Sequence, residues 1–104
     1  MVRPAWDDPG QGLYSISIAA EMAGLHPQTL RIYEREGLLA PARSPGGTRL
    51  YSRNDIDRLL QICELSSDGL NLAGIRRVLV LQEQTRQLRA EVDRLRRTQP
   101  GTGR

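Results

Sequence analysis

The sequence contains no phenylalanine, one tryptophan and one cysteine among its 104 residues. With so few large aromatic side chains, the core must be built from aliphatic residues. The single cysteine, Cys63, excludes an intramolecular disulfide and the disulfide framework of small secreted proteins. No apolar run reaches the length of about 18 residues that a membrane-spanning helix needs, and no signal-peptide pattern is present. These absences predict a soluble cytoplasmic protein. A length of 104 residues predicts one small domain.

Lysine is also absent, so all fifteen basic residues are arginine, and the formal net charge is +3. The planar arginine fork suits phosphates and guanine edges. A GC-rich genome would also favour arginine codons, so the total alone does not decide between the two interpretations. The distribution is more informative, because five arginines and only two acids, Glu34 and Glu36, lie between Pro27 and Arg53. That stretch is the candidate for contact with a polyanion.

Residues 14–25 and 27–36 predict two helices with a very short connection. Ser17 is a good N-cap for the first helix, and Gly24 is a natural stop. Pro27 suits the first position of the second helix, where its missing N–H costs nothing. So short a connection forces the helices to pack at a sharp angle, as in a helix-turn-helix.

Residues 38–51 have a different character. Two prolines exclude helix, and Gly46 and Gly47 predict a tight turn. The alternation over residues 48–51 is typical of a short strand. The simplest interpretation is a two-stranded wing.

A third helix is predicted over residues 52–67, with Ser52 and Asp55 forming a capping box. Its predicted inward stripe, spaced as a helix requires, comprises Ile56, Leu59, Leu60 and Cys63. Asn71 is predicted to cap a fourth helix, whose inward residues are Leu72, Ile75 and Leu79.

A separate last helix is predicted over residues 82–97, and its apolar positions recur with the alternating spacing of a coiled-coil seam. These positions are Leu81, Thr85, Leu88, Val92 and Leu95. A lone helix has nothing against which to bury such a seam, so we expect a partner helix from a second copy of the chain. A helix packing back on its own domain is the competing interpretation.

Together these parts predict a DNA-binding module with two-fold symmetry, whose second helix enters the major groove. Gln28 and Arg31 can reach base edges, whereas Arg35 or Tyr33 would meet phosphate. The predicted DNA-contacting residues are Ser17, Gln28, Thr29, Arg31, Tyr33, Arg35, Arg43, Gly46, Gly47, Thr48, Arg49, Tyr51 and Arg53.

The run TLRIYEREGLLAPAR, followed by RLYS and DIDRLLQI, resembles the MerR family of winged-helix regulators over about residues 14–81. The resemblance implies a mainly α fold: a winged helix-turn-helix with a small two-stranded wing and a C-terminal dimerisation helix. It also implies a homodimer, joined by an antiparallel pair of C-terminal helices, that binds inverted repeats of double-stranded DNA. The motif positions of the family fall on Arg31, Tyr33, Arg49 and Tyr51. Ile32 departs from the pattern, since many members have tyrosine there.

The segments HPQTLR, GG before RLYS, and LNLAGI are most similar to the HspR branch of the family. That branch implies a repressor of heat-shock and chaperone genes with a DnaK-type chaperone as co-repressor. The expected organisation is a disordered leader (1–12), a DNA-binding domain (13–80), a coiled-coil dimerisation helix (81–97) and a disordered tail (98–104). The large effector domain of many members is not expected.

Two other functions stay open: an activator of the MerR type that distorts promoter DNA, and an adaptor that binds a protein through the winged fold. An enzyme is not expected, because the sequence offers no nucleophile, base or metal-ligand set. No cofactor or metal is expected either. A capping role suits His26 better than metal ligation, and Cys63 on an apolar helix face behaves as a small hydrophobe.

Overall fold

A computed structural model of the chain describes residues 7–98. Its elements are α1 (Ile16–Ala23), α2 (Pro27–Arg35), β1 (Ala42–Arg43), β2 (Arg49–Leu50), α3 (Arg53–Ser67) and α4 (Leu72–Arg97). The predicted fold class is confirmed: the chain is mainly helical, with a two-stranded antiparallel wing and a long C-terminal helix. Trp6 and residues 99–104, on which parts of the predicted leader and tail fall, lie outside the described residues. The chain divides into two compact units after Gly69.

Helices α1 and α2 form the predicted helix-turn-helix, and α1 packs against both α2 and α3. The predicted cap of α1 was wrong by two residues. Ser15, not Ser17, has the extended backbone that a cap requires, and its Oγ accepts a hydrogen bond from the Ile18 amide at 3.2 Å. Gly24 ends α1 in the left-handed conformation (φ 69°) and donates its amide back to α1. A glycine adopts this conformation without strain, which explains how the chain turns so sharply into α2.

Helix α3 begins at the predicted capping box. The Ser52 amide donates to the Asp55 carboxylate at 2.8 Å, and the Asp55 amide donates to Ser52 Oγ at 3.0 Å. Its predicted inward stripe needs correction, because Leu60 is 46% exposed whereas Ile62 is fully buried. The buried face runs through Ile56, Leu59 and Ile62, three residues apart, and Leu60 lies at the edge of that face.

The core is aliphatic except for two tyrosines. Tyr51 has no exposed surface, and Tyr33 is 9% exposed. An isolated bridge pairs Tyr14 with Tyr51 and ties the segment before α1 to the end of the wing. The other buried apolar residues of the first unit are Ala19, Ala20, Leu30, Leu38, Leu39, Ile56, Leu59 and Ile62.

Residues 7–12, the second half of the expected leader, are held by hydrogen bonds. The Asn54 amide donates to the Pro9 carbonyl at 3.0 Å, and the Gln11 amide donates to the Asp8 carbonyl at 3.0 Å. An Arg53 Nη also donates to the Asp7 carbonyl at 3.3 Å. These bonds join the segment to the start of α3, which an expectation of disorder does not anticipate.

The second unit is built on α4. Asn71 caps this helix as predicted, since its Oδ1 accepts from the Gly74 amide at 2.9 Å. Ile75 and Leu79 are buried, also as predicted. A further helix was predicted from residue 82, but α4 is one helix of 26 residues. No glycine or proline interrupts it where the further helix was expected to begin. No helix within residues 7–98 is long and apolar enough to cross a bilayer.

Candidate nucleic-acid interface

The outer face of α2 lines a basic cleft beside the wing. The cleft has a volume of about 330 Å³, and its walls are formed by Gln28, Arg31, Glu34, Arg35 and Arg49. The α2 residues lie together because they are three or four positions apart on one helix. Arg31 Nη1 lies 3.4 Å from Gln28 Oε1, a long contact between two side chains that point the same way. The cleft therefore presents three guanidinium groups and one amide to solvent.

Helix α2 is anchored at its start by an unusual cap. His26 Nδ1 accepts a hydrogen bond from the Gln28 amide at 3.0 Å, so one ring nitrogen satisfies an amide that the helix leaves unpaired. Pro27 then occupies the first position of the helix. The cap fixes where Gln28 and Arg31 emerge from the fold.

The wing brings two arginines of like charge directly opposite one another. Strands β1 and β2 pair Ala42 with Leu50 and Arg43 with Arg49. Like charges at opposed positions of an antiparallel pair are destabilising. Glu34 of α2 offsets this repulsion, since Arg43 Nη2 donates to its Oε2 at 2.9 Å and Arg49 Nε donates to its Oε1 at 2.5 Å. The hydrogen bond from Arg49, followed by the charges of Arg49 and Arg43, lowers the pKa of Glu34 against the opposing effect of burial.

Glu34 is the residue of this surface that sequence reasoning missed. In the sequence Glu34 stands out only as one of two acids in a basic stretch, with no partner evident. The signal in the sequence was limited to spacing: Glu34 follows Arg31 by three positions on the same helix face. The pairing depends on the register of the wing, which the turn sets and the composition does not.

The wing turn is closed by its own backbone. The Gly47 amide donates to the Ser44 carbonyl at 2.8 Å, and the Thr48 amide donates to Ser44 Oγ at 3.1 Å. Gly47 has φ 86°, which a side chain would strain. Gly47 is among the predicted DNA contacts, but its amide is engaged in the turn and is therefore not free to bind a phosphate. Gly46 and Thr48 are exposed at the tip.

Two tyrosines among the predicted DNA contacts lie in the core instead. Tyr51 is fully buried, and its hydroxyl has no hydrogen-bond partner among the described residues. Burial raises the pKa of both Tyr33 and Tyr51. The buried Tyr51 hydroxyl cannot be presented to a phosphate, so the fold assigns the Tyr51 ring to packing.

The remaining predicted contacts are spread around the cleft. Ser17 is exposed near the start of α1, and Thr29 is half-buried in the first turn of α2. Arg53 is exposed at the start of α3. The structure thus brings Gln28, Arg31, Arg35 and Arg49 together and leaves Ser17 and Arg53 outside that cleft.

The predicted seam residues lie along one exposed stretch of α4. Leu81 is 50% exposed and Leu88 is 68% exposed. Two shallow grooves follow this stretch; Leu81 and Thr85 line one, and Thr85, Leu88 and Val92 line the next. This stretch is therefore an exposed apolar surface along one helix.

Residues 7–98 contain no group of three or more His, Cys, Asp or Glu side chains that could hold a metal ion. Cys63 is half-buried, and burial raises the pKa of its thiol. A raised pKa keeps the sulfur protonated and therefore less reactive.

The sequence of the chain is similar to those of known proteins. The sequence profile described as MerR HTH family regulatory protein matches residues 14–81. A protein of Streptomyces coelicolor provisionally named heat shock protein HspR is 50% identical over 84 residues, which cover 80% of this chain and 56% of that protein. The HTH-type transcriptional regulator GlnR of Bacillus anthracis is 42% identical over 71 residues, covering 68% of this chain and 55% of that protein. The chain thus spans about half the length of these curated relatives.

Among solved structures, the fold is similar to HiNmlR, a MerR family regulator lacking the sensor domain and bound to promoter DNA. The TM-score is 0.58 at 27% identity, and the match covers 81% of this chain and 76% of HiNmlR.

Proposed function

Since the chain belongs to the MerR family of helix-turn-helix transcription regulators and not to a family of enzymes, we propose that it represses heat-shock and chaperone genes as a homodimer on inverted-repeat operators. The observation that carries DNA binding is the cleft where Arg31, Arg35 and Arg49 converge beside the wing. Guanidinium groups on a helix face and an adjoining hairpin suit a duplex, since the helix can enter a groove while the hairpin follows the backbone.

Helix α2 reads sequence in this proposal. Gln28 and Arg31 lie one turn apart near its start and have the length and donors to reach adenine or guanine edges. Arg35 and the wing residues Arg43 and Arg49 contact phosphates. The phosphate contacts set the register of the helix in the groove and supply most of the salt-dependent affinity.

The seam on α4 joins a second copy of the chain, whose α2 binds the second half-site of the operator. Two copies of the helix bury Leu81, Leu88, Val92 and Leu95 against each other, which removes the exposed apolar surface from water. A two-fold symmetric pair of α2 helices then requires an operator with inverted symmetry.

The identity of 50% with the protein provisionally named HspR supports the heat-shock part of the proposal. A DnaK-type chaperone is the proposed co-repressor, on the resemblance to the same branch. Genome-wide recovery of bound DNA fragments, with and without heat stress, tests this part. The proposal predicts enrichment at chaperone promoters that falls after heat stress, whereas enrichment at other promoters alone would contradict it.

Repression is distinguished from its alternatives by two further measurements. In transcription with purified polymerase, a repressor lowers the product from its target promoter, whereas an activator that distorts promoter DNA raises it. The salt dependence of affinity separates both from a protein-binding adaptor, because contacts to phosphates make affinity fall steeply as salt rises.

A further inference from the structure

Glu34 is the one acid among the cleft residues and joins α2 to the wing. Its carboxylate lies on α2, while both of its arginine partners lie on the wing. Its side chain is 22% exposed, and those of Arg49 and Arg43 are 27% and 46% exposed. An acid at a surface that binds phosphates repels them. The carboxylate of Glu34 therefore weakens DNA binding unless it also makes a favourable contribution.

The two arginines use different atoms toward Glu34. Arg43 is engaged at both ends of its fork, since Nη2 donates to Glu34 and Nη1 donates to the Gly47 carbonyl at 3.1 Å. Arg43 therefore links the wing turn to α2. Arg49 bonds Glu34 through Nε. Because a guanidinium carries five donors in a rigid plane, this bond fixes the plane and leaves the terminal nitrogens of Arg49 for a second anion.

We propose that Glu34 is a positioning residue for DNA binding: its carboxylate holds the wing against α2 and turns the terminal nitrogens of Arg49 toward a backbone phosphate. The base-reading helix and the phosphate-binding wing then meet the duplex as one rigid surface, and less side-chain freedom is lost on binding. This inference rests on the proposed function and adds to it a role for the acid.

The sign of one substitution separates positioning from simple charge. If Glu34 only repels phosphates, Glu34→Gln tightens DNA binding. If it positions Arg49 and the wing, Glu34→Gln weakens binding about tenfold, the loss expected for one charge-assisted hydrogen bond. Glu64→Gln removes the same charge from an exposed site on α3 and serves as the control.

The measurement is fluorescence anisotropy with the full chain and a labelled duplex of mixed sequence, repeated over a series of salt concentrations. Glu34→Gln is expected to lower the slope of log affinity against log salt by about one phosphate contact. Glu64→Gln is expected to leave that slope unchanged. Circular dichroism melts of each variant confirm that the folded state is compared.

Two further variants test whether Glu34 acts through Arg49. Arg49→Lys keeps the charge but lacks the planar fork, so it is expected to weaken binding as Glu34→Gln does. In an Arg49→Ala background, Glu34→Gln is expected to have little further effect.

Wild-type protein that fails to bind the duplex would overturn the proposed function itself. Wild-type protein that binds, together with a Glu34→Gln variant that binds equally well or more tightly, would overturn only the positioning role. Full affinity in Arg49→Lys would also overturn it, because a point charge would then suffice.

Discussion

At the scale of single residues, Arg31 and Arg35 share one face of α2 but lie at different distances from its start. Arg31 lies in the half of the helix that would enter the groove, and its side chain lies against Gln28. Arg35 lies in the last turn. The two arginines should therefore differ in what they recognise.

Arg31→Ala is expected to cost about 1–3 kcal/mol of discrimination at one base pair, because a bidentate contact to a base edge is lost. Arg35→Ala is the matched control and is expected to weaken binding to all duplexes alike. The measurement is the affinity for the operator and for a panel of its single base-pair variants. Uniform weakening by Arg31→Ala would place Arg31 on a phosphate instead.

Tyr51→Phe is expected to raise the free energy of unfolding by about 1 kcal/mol, because the buried hydroxyl has no partner among the described residues and an unsatisfied buried group costs stability. DNA affinity should not change. Denaturant unfolding and anisotropy check the two parts, with Tyr14→Phe at a half-buried ring as the control. A loss of affinity at unchanged stability would return the hydroxyl to the role in DNA contact that the sequence analysis gave it.

The residue roles that could be predicted were the local ones. The spacing of Gln28, Arg31 and Arg35 placed them on one face because helical geometry is fixed. The burial of Tyr51 and the pairing of Glu34 with the wing depend on contacts between segments distant in sequence. Those contacts follow from the register of the hairpin and the bridge to Tyr14. Local sequence patterns do not reveal that register.

At the scale of elements, helix ends were predicted where a single side chain closes the backbone. Ser52 with Asp55, and Asn71, cap their helices as expected. The cap of α1 was displaced because two serines lie close together, and only the backbone conformation of Ser15 selects between them. The two helices expected at the C-terminus form a single α4, since a change from buried to exposed apolar positions does not itself end a helix.

The exposed stretch of α4 makes a prediction about assembly. Leu88→Asp is expected to yield monomers with much weaker operator binding, because a buried unpaired carboxylate opposes closure of the seam. Ala90→Asp introduces the same acid on the opposite side of the helix and should leave the assembly intact. Sedimentation velocity measures the mass of each variant. A mass for Leu88→Asp equal to that of the wild type would show that this seam does not join the copies.

At the scale of the whole molecule, one unit carries the basic surface and the other carries the helix with the exposed apolar stretch. Neither alone specifies an operator. In the proposed function, a single α2 helix would read a few base pairs and bind weakly, whereas two copies joined by α4 would recognise both half-sites in one binding event. The fold and the family could be inferred from sequence because the motifs occur in order over most of the chain. The operator sequence could not be inferred, since it depends on contacts between the side chains and DNA bases.

Selection of bound duplexes from a random-sequence pool, followed by sequencing, tests this account most directly. Purified wild-type protein is expected to enrich two inverted copies of one short half-site, with centres about one helical turn or a multiple of it apart. Enrichment of a single unrepeated half-site, or of no sequence at all, would contradict the account.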